Sequence, residues 1–176
     1  MKLATLLMLV AVGCGGPETT GSPEPSAAAT DSDSTLGEPD PRYASAPTDT
    51  ESVARLLRAR HREDLPDRDV LLAHAEPEAS LRWLVENGDP LLVRVRAAST
   101  LRFFDGAETL ALLRAVFLDE ALPGNLRSAA IEGTVRFPLD ETLRAELEAL
   151  VGADDPRIVH AAETRLTATS APSTGP

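Results

Sequence analysis

The chain has 176 residues, 28 acidic against 17 basic side chains, and a formal net charge of −11. That balance excludes a nonspecific nucleic-acid binder held by a basic surface. The one cysteine, Cys14, lies ahead of any segment that can fold, which excludes an intrachain disulfide and any Cys-based metal site or Cys/His catalysis in the folded part.

Met1-Lys2 is a short positive start, followed by the ten-residue apolar run Leu3 to Val12. As a helix, ten residues span about 15 Å, half of a ~30 Å bilayer core. The run therefore predicts a signal peptide over residues 1–13 and not a transmembrane anchor. It ends in Val10-Ala11-Val12-Gly13-Cys14, which resembles the lipobox of bacterial lipoproteins, with Ala11 where that pattern prefers leucine. The resemblance implies lipidation at Cys14, with long acyl chains such as palmitate. Two or three such chains anchor stably, at about 0.8 kcal/mol per buried methylene. Gly15, in place of an aspartate retention signal, points to the outer membrane facing the periplasm.

Residues 14–50 read as a tether. Past the cysteine they hold six prolines, seven carboxylates against Arg42 alone, and only Leu36 and Tyr43 as sizeable apolar side chains. Such a segment cannot bury enough apolar surface to offset its ordering entropy, so disorder is expected, with a reach of roughly 30–36 Å. Residues 169–176 read as a second disordered end.

Between these ends the spacing is helical throughout. Residues 51–75 read as a helical cap. Thr48 and Glu51 have capping-box spacing ahead of Val53, Leu56 and Leu57, and Asp67–His74 is a short helix with Val70 and Leu71 inward. Three helix pairs follow over 76–168. The first is Pro77–Asn87, with Leu81, Leu84 and Val85 inward and Gly88 at a left-handed stop, then Leu91–Phe104. The second opens on Asp105 as N-cap with Glu108 three residues on, and carries Leu110, Leu113, Val116 and Phe117. A Pro123-Gly124 turn leads into its partner, Asn125–Phe137. The third is Glu141–Val151, with Leu143, Leu147, Leu150 and Val151 inward, then Pro156 to Leu166. No run alternates as a strand does.

Ala97-Ala98, Ala129-Ala130 and Ala161-Ala162 recur at intervals of 32 residues, the period of a helical repeat. Asp155-Pro156 with Ile158, Ala162 and Leu166 resembles the second helix of HEAT-like repeats. So do Asp89-Pro90 with Val93-Arg94, Ala97 and Leu101, and Pro123 with Leu126-Arg127, Ala130 and Thr134. The resemblance implies an all-α fold, a short right-handed α-solenoid of three HEAT-like pairs behind the cap. It says little about chemistry.

The residues offer little chemistry either. No His-Glu pair of the kind found in the HEAT-like deoxyhypusine hydroxylases occurs. His61, Glu63 and Asp64 cluster, but Arg58, Arg60 and Arg62 beside them oppose a cation. There is no nucleophile elbow and no phosphate loop, so no catalytic residue, metal or cofactor is assigned. Trp83 reads as core or cap packing, with a binding anchor as the alternative.

Charge is more informative. The first helices with their leading loops (76–89, 105–120, 140–155) carry fourteen acids and three arginines; the second helices (90–104, 123–137, 156–168) carry seven arginines and two acids. In HEAT-like stacks the second helices line the concave face. Arg94, Arg96, Arg102, Arg127 and Arg136 are therefore candidate contacts for an acidic protein segment. The alternative is that Arg94 and Arg127 pair with nearby loop carboxylates, and that the acids gather at helix starts for dipole reasons. The expectation is a membrane-anchored envelope lipoprotein acting as a scaffold or adaptor for another protein, and not an enzyme. An enzyme subunit akin to the HEAT-like bilin lyases and a purely structural spacer are the alternatives.

Overall fold

The computed structural model describes residues 40–61 and 64–168. The signal peptide 1–13, the lipidation position Cys14, the tether as far as residue 39 and the tail 169–176 lie outside the described residues. Within them the chain is all-helical, without a strand. The helices are α1 (Thr50–Leu57), α2 (Arg68–Leu72), α3 (Pro77–Asn87), α4 (Leu91–Thr100), α5 (Ala107–Leu118), α6 (Gly124–Gly133), α7 (Glu141–Leu150) and α8 (Pro156–Ala168). The tighter turns Leu101–Phe103 and Thr134–Arg136 prolong α4 and α6. No helix among the described residues is long and apolar enough to cross a membrane.

Residues 40–50, expected to belong to the tether, are held against the helices. Asp40 accepts from the Arg42 backbone N–H and starts a turn, Pro41–Tyr43, that sets the Tyr43 ring 5.6 Å from the Trp83 ring of α3. Arg58 donates to the Tyr43 hydroxyl. One aromatic side chain thus supplies the apolar contact that the composition of this stretch otherwise lacks.

The expected capping box does not form. α1 starts from Asp49, whose φ of 67° is left-handed and whose side chain does not cap its own helix. Instead Asp49 accepts from the Ala75 N–H, Glu76 accepts from the Thr48 N–H, and Ser80 donates to the Thr48 carbonyl. The polar side chains at the start of α1 are spent on joining it to the start of α3.

The apolar stripes bury as spaced. Leu81, Leu84 and Val85 of α3, Leu113 and Phe117 of α5, and Leu147 of α7 are fully buried, each contributing about 1.5–3 kcal/mol. Val70 and Val151 do not: they are 45% and 36% exposed. α2 is only five residues long and turns one side chain, Leu71, inward, and Val151 lies past the last turn of α7.

Within each pair α3 packs on α4, α5 on α6 and α7 on α8; between pairs α4 packs along α6 and α6 along α8. The buried register along this second row is Val93, Leu126, Ile158 and Ala97, Ala130, Ala162, in steps of 33 and then 32 residues. Small side chains let the axes approach to the short end of the usual 8–10 Å. α6 comes close to the α4 backbone at Gly133, where a Cβ would lie 2.6 Å from the Ala98 carbonyl oxygen. Gly88 is also needed for closeness rather than for handedness. Its backbone is extended (φ −62°, ψ 138°), not left-handed as expected, and a Cβ there would meet the Leu84 carbonyl at 2.5 Å.

The first row is joined by charge. Asp105 does not cap α5; its N-terminus is capped from α3, where Glu78 accepts from the Gly106 N–H and the Thr109 hydroxyl. Glu108 pairs with Arg82 of α3 at 2.7 Å, and Arg114 of α5 makes a two-pronged pair with Glu146 of α7. That hydrogen bond raises the pKa of the Arg114 guanidinium above its ordinary value.

Candidate interaction face

The side of α4, α6 and α8 that does not enter the core forms one face. Residues three and four apart lie together on a helix. Accordingly Leu92, Val95, Arg96 and Ser99 of α4 stand beside Asn125, Ser128, Ala129 and Glu132 of α6, around a cleft of about 290 Å³. A second cleft of the same volume opens between α6 and α8, and a smaller one of about 160 Å³ lies under Leu65 and Phe103. Glu132 borders the first two clefts and Arg102 the last two. The three adjoin through these shared residues as a furrow of mixed apolar and polar lining.

The five arginines singled out from the sequence divide into two groups. In Arg94, Nε donates to the Val85 carbonyl at 2.8 Å; in Arg127, Nε donates to the Phe117 carbonyl at 3.0 Å. Both acceptors sit in the last turn of the preceding helix, where carbonyls have no partner within the helix. Arg96 does the same for α1, donating to the Leu57 and Ala59 carbonyls at 2.7 and 2.5 Å. Three of the five therefore cap helix ends with backbone contacts, and neither Arg94 nor Arg127 uses a carboxylate for a hydrogen bond.

Arg102 and Arg136 are exposed and make no hydrogen bond or ion pair among the described residues. The Arg102 guanidinium carbon rests 4.8 Å above the Phe103 ring; Arg136 borders none of the three clefts. A sixth arginine, Arg165, was not singled out. It is 6% exposed, donates to the Thr134 hydroxyl and the Phe137 carbonyl, and burial lowers its pKa.

Of the histidines, His160 borders the α6/α8 cleft, His61 is exposed, and His74 lies 3.8 Å from Asp49. Among the described residues no three His, Cys, Asp or Glu side chains are grouped to hold a metal ion. Trp83 is partly buried against Tyr43 and the core. A further cleft of about 440 Å³ lies between the loops that precede α6 and α8, and is lined by Glu120, Arg127, Asp154 and Asp155.

Sequence reasoning missed Ser99, Ser128, Glu132 and Thr164 as lining residues. Their signal was positional: they fall at three- and four-residue steps on the side opposite the buried Ala97, Ala130 and Ala162. Comparison with protein families, curated proteins and solved structures finds no match to this chain.

Proposed function

We propose that this protein is a lipid-anchored component of the bacterial cell envelope that presents a short right-handed HEAT-like solenoid as a binding module for another protein. Cys14 carries the anchor, the residues before Asp40 are the tether, and the α4/α6/α8 face receives the partner. The observation that carries the reading is the repeated use of equivalent positions. Val93, Leu126 and Ile158 are buried in turn along one row of helices, and the opposite side of that same row holds three adjoining clefts. Translational stacking with a furrow along one helix row suits extended surface complementarity, and tethering at a membrane raises local concentration.

The test is photo-crosslinking in the native envelope, with a benzophenone amino acid at Ser99 and Ser128 on the face, and at the exposed Ala111 and Ala145 of α5 and α7 as controls. A discrete protein adduct from the first two positions alone is expected. Equal adducts from all four positions, or none from the face, would sink the reading. For the anchor, Cys14→Ser should move the protein from the membrane to the soluble fraction; continued sedimentation with lipid contradicts it.

A further inference from the structure

Resting on that reading, we infer that the α6/α8 cleft at Arg102 is a subsite for a single carboxylate side chain flanked by an apolar residue on the partner, and that it discriminates against phosphate and other multiply charged anions. Three observations lead there. First, among the described residues Arg102 is the one exposed arginine bordering the furrow that makes neither hydrogen bond nor ion pair, since Arg96 is committed to the carbonyls of Leu57 and Ala59. Its guanidinium carbon lies 4.8 Å from the centre of the Phe103 ring, a contact that restricts the side chain. A guanidinium held that way loses little further entropy on forming a two-pronged bond to a carboxylate.

Second, the cleft beyond Arg102 is small and largely apolar. Val135, 52% exposed, and Ala161 and Ala168 line it, with the Thr164 hydroxyl as an added donor. At about 290 Å³ it holds one side chain or two and not a domain surface. Third, Glu132 also lines this cleft and is in no ion pair among the described residues. With Arg102 and Arg165 set against Glu132, the lining carries one net positive charge, which balances one carboxylate; a dianion would leave a negative charge uncompensated on a chain whose net charge is −11. His160 at the rim is the other titratable group facing the cleft, with the buried Arg165 beneath.

The experiment titrates the full chain with three capped tripeptides, acetyl-Leu-Asp-Leu-amide, its Asn analogue and its phosphoserine analogue, read by NMR shifts of the Phe103, Val135 and Thr164 amides. The Asp peptide should bind at least fivefold tighter than either analogue. Arg102→Gln should abolish the preference for Asp over Asn, while Arg102→Lys retains part of it. Glu132→Gln should bring phosphoserine binding up to the level of Asp. Equal binding of the Asp and Asn peptides, tighter phosphoserine binding with Glu132 intact, or no shift at millimolar peptide would each overturn the assignment. Those failures, set beside face-specific crosslinks at Ser99 and Ser128, would leave the binding module standing; loss of the crosslinks as well would remove both.

Discussion

The two rows of helices are held by different physics. α3, α5 and α7 reach one another through side-chain charge: Glu78 caps α5, Arg82 meets Glu108, and Arg114 meets Glu146. α4, α6 and α8 pack across alanines and Gly133, with buried Val93, Leu126 and Ile158 between and Arg165 of α8 donating to Thr134 and the Phe137 carbonyl. Partly exposed ion pairs are worth about 0–1 kcal/mol each and are screened by salt. Close packing is indifferent to salt but intolerant of volume. The first row can therefore vary in sequence and spacing, whereas the second sets the distance between pairs. A face built on the second row is a rigid one, which suits the furrow proposed to bind.

Volume added to the second row should do the most damage. Gly133→Val places a Cβ 2.6 Å from the Ala98 carbonyl and 3.0 Å from a Leu113 methyl of α5, and the backbone carbonyl cannot yield without parting α6 from α4. The expected loss is about 3 kcal/mol, a fall of roughly 10 °C in melting temperature. Ala130→Leu, at a fully buried position, should cost about 1–3 kcal/mol by the same mechanism. Wild-type melting by either variant would mean that the row is not the close-packed one, and the contrast would collapse.

Most of this row was legible in the sequence, because alanine at helical spacing has one common use in a stack. The alanine pairs at 32-residue intervals located it, and the Pro-to-Val, Pro-to-Leu and Pro-to-Ile spacings supplied the register. The arginines were harder to read. Arg94 and Arg127 each follow a helix start by a few residues, and each reaches back to the last turn of the helix before. That role is visible only once the loop brings a carbonyl within reach, so charge counting assigned them to a surface. Arg102 and Arg136, which touch no carbonyl, were indistinguishable from them by count.

Residues 40–49 were illegible for a different reason: composition averages over a stretch, and one aromatic ring decided this one. The chain has one tyrosine and one tryptophan, and they are in contact, so the docking of this stretch reports on itself. Tyr43→Ala should cost about 0.5–1.5 kcal/mol and shift Trp83 emission to longer wavelength, with the melting of α4 to α8 otherwise cooperative. An unshifted emission would show that the stretch does not lie on α3.

The first row should respond less, and to a different variable. Arg114→Gln removes the pair with Glu146, whose side chains are 36% and 18% exposed. The expected loss is about 1 kcal/mol or less in low salt. In 1 M salt the Debye length falls to about 3 Å, and the variant's deficit should shrink, while the deficit of Gly133→Val stays constant. Parallel salt profiles for the two variants would erase the distinction between the rows.

The smallest effect lies at the start of α8 and has a sign that can be worked out in advance. Asp155 accepts from the Arg157 backbone N–H at 2.9 Å and from its side chain at 3.1 Å, and these bonds, the backbone one foremost, hold its carboxyl below the ordinary 3.8. A carboxyl whose folded pKa is depressed favours the folded state above its unfolded value, and that contribution disappears as pH falls through the folded one. Asp155→Asn should therefore leave stability at pH 7 slightly reduced and remove part of the decline below about pH 4. The same carboxylate lies over Gly124 at the first turn of α6, where a Cβ would come within 1.8 Å of it. If the acid decline is unaltered in Asp155→Asn but softened in Asp40→Asn, the titrating contact belongs to the docked N-terminal stretch, whose Asp40 carboxyl is likewise lowered by Arg42, and not to the α6–α8 junction.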